Sequence, residues 1–123
     1  MNKRTNISFY LKSGTVRIYR DTMRAIGKPM FVRLRLHSRI PSLIVEPFDR
    51  ITLTSFRVPQ KLFKDNGAMQ IHSKALCEMI ANEMKWESER SYTITGHPYA
   101  EQKIVLFDLT QAVEIRSPWE GEV

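Results

Sequence analysis

Three apolar positions recur 53 residues apart along this chain, Val16, Ile18 and Met23 returning as Met69, Ile71 and Leu76. Around each set the patterns follow one order: a short strand, a helix, then a hairpin. Chains of about 40 residues seldom bury enough apolar surface to fold alone, so two such units must share a core. The expectation is an α+β fold in which β-α-β-β units at 14–49 and 67–109 pack as an intrachain pseudo-dimer around a shared antiparallel or barrel-like sheet. At 123 residues the chain has the length of one domain, 1–123, ending in a tail at 117–123.

Local patterns fill in this outline. Ile7, Phe9 and Leu11 alternate as a strand does, and Lys12, Ser13 and Gly14 make a turn into the strand of Val16 and Ile18. Asp21 is the expected N-cap of a short helix, and Gly27, free of a Cβ, suits its left-handed end. From Met30 to His37 the side chains alternate, with Val32, Leu34 and Leu36 on one face and Arg33, Arg35 and His37 on the other. A connection at 38–41 and a return strand from Ser42 to Val45, ending near Pro47, complete a hairpin. Residues 51–58 read as a further strand from their β-branched content, with Ile51, Leu53, Ser55 and Arg57 on one side. Residues 61–67 read as a loop with a turn at Asn66 and Gly67. Ser73 caps the one long helix, 73–86, whose apolar positions are Leu76, Cys77, Ile80, Ala81 and Met84. Tyr92, Ile94 and Gly96 form a strand, 97–102 a turn and 104–108 a strand, with 110–115 extending the sheet and Trp119 docking the tail.

The net charge of +6 is unevenly placed. Residues 1–64 carry 14 Lys or Arg against three acids, and 65–123 carry five against ten, so the halves stand near +11 and −5. A positive half steers polyanions towards itself. Arg17, Arg20, Arg24, Arg33, Arg35 and Arg39 crowd into the first unit, and guanidinium forks suit phosphates and guanine edges.

The segment 14–27, GTVRIYRDTMRAIG, resembles the core of the AbrB-type swapped-hairpin DNA-binding family, matching it at Gly14, Val16, Ile18, Asp21, Arg24, Ile26 and Gly27. It departs from the family at Thr15, Tyr19, Thr22 and Met23, where arginine, proline, an aliphatic residue and a basic residue are usual. The chain is also loosely similar to small proteins of Firmicutes genomes and their mobile elements, a likeness that implies no function. The AbrB-type resemblance implies DNA recognition by basic residues at strand and helix ends, with Arg24 the matched position. Such domains ordinarily assemble from two chains, a role that an internal repeat would fill within one.

Catalysis is not expected. His37, His72, His97 and Cys77 lack any metal-ligand spacing, Cys77 falls among the apolar positions of its helix, and no glycine-rich phosphate loop is present. Neither cofactor nor metal is expected. A lone cysteine excludes an intrachain disulfide framework. No apolar run approaches the roughly 18 residues of a membrane span, and the start lacks a secretory pattern, so a cytoplasmic protein without a membrane partner is expected. The leading expectation is a nucleic-acid-binding or regulatory protein whose partner is duplex DNA or another polyanion. The competing one is an assembly module forming a homodimer or holding an acidic protein, with Trp119, Tyr92, Phe56 or Tyr19 as its anchor.

Overall fold

The computed structural model describes residues 5–64 and 67–115. The tail, Trp119 and Asn66 therefore lie outside the described residues. In chain order the elements are β1 (Asn6–Tyr10), β2 (Thr15–Tyr19), α1 (Arg20–Ala25), β3 (Phe31–His37), β4 (Ser42–Phe48), β5 (Ser55–Arg57) and β6 (Ala68–His72). They continue with α2 (Lys74–Met84), β7 (Ser91–Thr95), β8 (His97–Tyr99), β9 (Ile104–Asp108) and β10 (Val113–Glu114). Short 3-10 turns occupy Gln60–Phe63 and Leu109–Gln111.

Every ladder is antiparallel, and the strands divide into two five-stranded sheets rather than one shared sheet. The first runs β10-β7-β1-β2-β6 and the second β5-β3-β4-β9-β8. Alternation decides which face of each turns inward. Ile7, Phe9, Val16, Ile18, Met69, Ile71 and Ile94 from the first sheet meet Val32, Leu34, Leu43, Val45, Val105 and Phe107 from the second in a single buried cluster. The helices add Met23 from α1, Ile26 just past its end, and Cys77 and Ile80 from α2.

Both helices end in the same way. Lys28 N–H bonds Met23 O and Gly27 N–H bonds Arg24 O, the paired bonds of a Schellman stop with Gly27 at φ +91°. At the end of α2, Trp86 N–H bonds Ala81 O and Lys85 N–H bonds Asn82 O, with Lys85 in the left-handed position. The start of α1 differs from expectation, because Tyr19 holds the N-cap position and Asp21 lies in the first turn. Ser73 does cap α2, its Oγ accepting Leu76 N–H at 3.2 Å.

Three other expectations are corrected. Pro47 does not end β4 but sits within it opposite Val32. The ladder from β4 to β9 stops at Val45, so the missing N–H of Pro47 breaks no bond of that ladder. The strand expected at 51–58 shrinks to β5, because the Ser55 hydroxyl gathers the preceding residues into a tight turn. It accepts Thr52 N–H at 2.6 Å and donates to Arg50 O at 2.8 Å. The turn expected at 97–102 begins later, since His97, Pro98 and Tyr99 pair with β9 as β8.

Between β7 and β8 stands Gly96, where the chain leaves the first sheet for the second. Gly96 N–H bonds Thr5 O at 2.6 Å, and Thr5 Oγ1 donates back to Gly96 O at 2.9 Å.

Candidate nucleic-acid interface

The six arginines of the first unit do not form one patch. Arg17 projects from β2 on the polar side of the first sheet, in a row with Ser8 and Gln70. Its Cζ lies 5.3 Å from the Tyr19 ring centre, and its Nε is shielded from solvent without an acceptor among the described residues. Arg20 opens α1, half-buried. Arg24, in the same helix, donates from Nη2 to Phe63 O at 3.3 Å and lies 4.0 Å from Asp21.

The other three belong to the second sheet. Arg33 and Arg35 stand on the outward face of β3, as alternation predicts, and Arg39 is exposed in the turn before β4. Register then brings in a residue that composition could not. Arg33 faces Glu46 across the β3–β4 ladder. Arg33 Nε and Nη2 donate to Glu46 Oε2 at 2.9 and 2.8 Å, and Arg35 Nε donates to the same oxygen. One carboxylate thus fixes two guanidiniums and offsets the charge of one.

Two phenylalanines on that face organise further cations. Phe31 and Phe48 are directly opposed across the ladder. The guanidiniums of Arg33 and Arg50 lie 4.6 and 5.6 Å from the Phe48 centre, and that of Arg57 lies 5.9 Å from the Phe31 centre. Arg50 also meets Asp49 at 3.1 Å, an exposed pair worth little in water. Three guanidiniums thus lie around these rings, with Arg35 beside them on Glu46, against the two carboxylates of Glu46 and Asp49. Arg50 and Arg57 were not among the candidates read from the sequence. The hairpin register sets the two aromatic rings side by side, but the path of residues 49–57 back to β3 is what brings Arg50 and Arg57 to them.

No family model, no curated protein and no solved structure matches this chain. The functional reading rests on the residues alone.

Cys77 and His72 stand apart from the arginine face, whereas His37 follows Arg33 and Arg35 on the outward side of β3 and His97 lies in the row of Arg35, Ile44 and Leu106. No group of three or more His, Cys, Asp or Glu with metal-binding geometry occurs among the described residues. His72 Nδ1 lies 3.3 Å from Thr15 Oγ1, while His37 and His97 are exposed on the second sheet. An open cleft of about 250 Å³ lies between α2 and the β1–β2 turn, lined by Lys12, Lys74, Glu78 and Glu89 among others, with no candidate arginine beside it. No described helix is long and apolar enough to cross a membrane. The aromatic anchors of the assembly reading are partly engaged: Tyr92 stacks on Trp86 with centres 4.3 Å apart, and Tyr19 and Phe56 are half-buried.

Cys77 is buried at 1% exposure. Burial foremost, and the Glu78 charge second, push its thiol up from 9.0 to about 11. The thiol is protonated at neutral pH and a poor nucleophile. Between those two values the native state holds the proton that the unfolded chain releases, so the stability it confers is full below pH 9 and declines as pH rises towards 11. Wild type should lose roughly 2 kcal/mol more than Cys77→Ala across that window, read from urea melts at each pH. Parallel pH profiles for the two proteins would show that the thiol does not titrate in this way.

Proposed function

We propose that this chain is a non-enzymatic nucleic-acid-binding protein that engages duplex DNA through the outward face of its second sheet. Arg33, Arg35 and Arg39, joined by Arg50 and Arg57, supply the phosphate contacts. The observation that carries this reading is the clustering of the Arg33, Arg50 and Arg57 guanidiniums over Phe31 and Phe48, where the rings orient them. Preordered cations give up less side-chain freedom on binding than solvated ones do. Arg17, Arg20 and Arg24 project from the first sheet and α1, so they would act only on a ligand that wraps beyond the main face.

The fold underlying this reading is an intrachain pseudo-dimer, and ladder registers support it. Equivalent strands that pair antiparallel have a local two-fold axis at the midpoint of the ladder. In the β2–β6 ladder Arg17 faces Gln70, 53 residues on, and Val16–Ile71 and Ile18–Met69 exchange under that same shift. In the β4–β9 ladder Ile44 faces Leu106, 62 residues on. The shift of 62 also carries the β3–β4 hairpin onto β8–β9: Arg35 faces Ile44 as His97 faces Leu106, and Leu36 faces Leu43 as Pro98 faces Val105. The second unit thus holds nine more residues between its first strand and its hairpin. Five of them fall within the helix, 11 residues in α2 against six in α1.

Under these shifts no arginine is duplicated. Arg17, Arg20 and Arg24 correspond to Gln70, Ser73 and Cys77, and Arg33, Arg35 and Arg39 to Thr95, His97 and Glu101. A symmetric scaffold with cations on one unit should read an asymmetric site. Selection from random duplexes is expected to return a non-palindromic motif, and a palindrome would count against the assignment.

The direct test is a salt series with random duplex DNA. Wild type should bind with nanomolar to micromolar affinity that falls steeply with salt. Arg33→Gln with Arg35→Gln should weaken binding at least tenfold and flatten the log–log slope by about one to two. Absence of binding at low salt would overturn the function.

A further inference from the structure

The connection between β4 and β5 carries two aliphatic side chains that the core does not use. Leu53 is 99% exposed and Ile51 67% exposed. Single exposed aliphatic residues are ordinary on a protein surface, but this pair sits in a turn whose shape is fixed. Thr52 N–H donates to Ser55 Oγ, the two hydroxyls meet at 2.8 Å, and Thr54 N–H donates to Thr52 Oγ1 at 3.3 Å. Leu34 N–H bonds Thr54 O at 2.9 Å, tying the turn to β3. Ser55 itself is fully buried. The topology explains why the turn is confined. β4 and β5 flank β3 and run in the same direction, so residues 49–54 must recross the chain at the start of β3.

At the base of this turn lie the Phe31 and Phe48 rings with the guanidiniums of Arg33, Arg50 and Arg57 over them. An apolar tip on a hydrogen-bonded turn that springs from a cationic base suits a ligand that is anionic outside and apolar within. Stacked bases flanked by phosphates have that arrangement, and aliphatic wedges enter base steps from the minor groove, unstacking and kinking the duplex. We infer that Leu53, backed by Ile51, inserts between base pairs of the bound duplex while Arg50 and Arg57 hold the phosphates on either side. This inference rests on the DNA-binding reading and adds to it a bent, locally unstacked ligand. Steps that unstack easily, such as TA, are the preferred entry points.

The test uses the full chain and a duplex of about 25 base pairs with 2-aminopurine at a central TA step. Wild type should raise the 2-aminopurine fluorescence and bring end-attached dyes closer in energy transfer. Because Leu53 is almost wholly exposed, Leu53→Ala leaves the fold intact. It should abolish the fluorescence rise and weaken binding about tenfold, with the salt slope unchanged because no phosphate contact is lost. If Leu53→Ala matches wild type in fluorescence and affinity, the wedge is overturned while DNA binding stands. If wild type binds no duplex at low salt, both readings fall. Leu53-dependent binding to vesicles rich in phosphatidylserine, without duplex binding, would likewise overturn both and assign the tip to a membrane surface.

Discussion

Gly96→Ala is expected to destabilise the protein by roughly 3 kcal/mol or more, because the added methyl has nowhere to go. A Cβ at this position would stand 2.5 Å from Val105 Cγ1 and 2.7 and 2.9 Å from two carbons of the Phe107 ring. Both neighbours are fully buried. Neither can swing into solvent, so relief requires moving β9 against β7 or leaving a rotamer well. The backbone on the other side is equally constrained, since Thr5 bonds both the N–H and the carbonyl of Gly96. Gly27→Ala is the informative control. There φ is +91° but no atom lies within 4 Å of the added Cβ, so only conformational strain of about 1 kcal/mol is expected. Urea melts should show a much lower midpoint for Gly96→Ala at unchanged slope. Adding Val105→Ala should recover part of the loss, because it removes the nearest atom. A midpoint within 1 kcal/mol of wild type would mean that the two sheets adjust freely at this junction.

Gly96 also marks where the sequence stops being a guide to the fold. Alternation identified β1, β2, β3, β6 and β9 because each has one buried face and the period of two is explicit in its side chains. Periodicity names the buried face of a strand but not its partner. Nothing in Tyr92, Ile94 or His97 indicates that β7 joins β1 while β8, one residue further on, joins β9. Under the proposed shift of 62 residues Gly96 would correspond to Leu34, and there β3 runs straight on beside β4 through Arg33 and Glu46. In the proposed two-unit reading, the units would diverge at this point, where one glycine lets the chain change sheets. At 51–58 the fold departs from the pattern for a different reason. Ile51 and Leu53 alternate as strand residues do, but Ser55 offers a hydroxyl that satisfies Thr52 N–H and Arg50 O locally, and that local bonding wins over the ladder. The candidate site was legible to the same depth. Alternation placed Arg33 and Arg35 on one face, but the expected return strand stopped at Val45, and only the observed extension of β4 to Phe48 sets Glu46 opposite Arg33. The cations over Phe31 and Phe48 depended on how residues 49–57 return to β3, which no local pattern encodes.

Glu46→Gln is expected to move stability and binding in opposite directions. In the native protein Glu46 is mostly buried and accepts from Arg33 and Arg35 together. Both arginines are at least a third exposed, so solvent screens the pairs, and removing the charge should cost only about 1–2 kcal/mol of stability. The same substitution leaves two guanidiniums on one sheet face without a carboxylate to share. If they contact phosphates, affinity for random duplex at low salt should rise about tenfold and the log–log salt slope should steepen by about one. Net charge alone could raise affinity, and Asp108→Asn separates the two causes. Asp108 is the residue that the 62-residue shift sets equivalent to Glu46, and the substitution adds the same unit of positive charge. Its carboxylate accepts Thr110 N–H at 3.0 Å and the Thr110 hydroxyl at 2.6 Å, with no arginine partner among the described residues. A rise confined to Glu46→Gln would tie binding to Arg33 and Arg35. Equal rises would reduce the interaction to bulk attraction between a basic protein and a polyanion, and no change in either would remove these arginines from the interface.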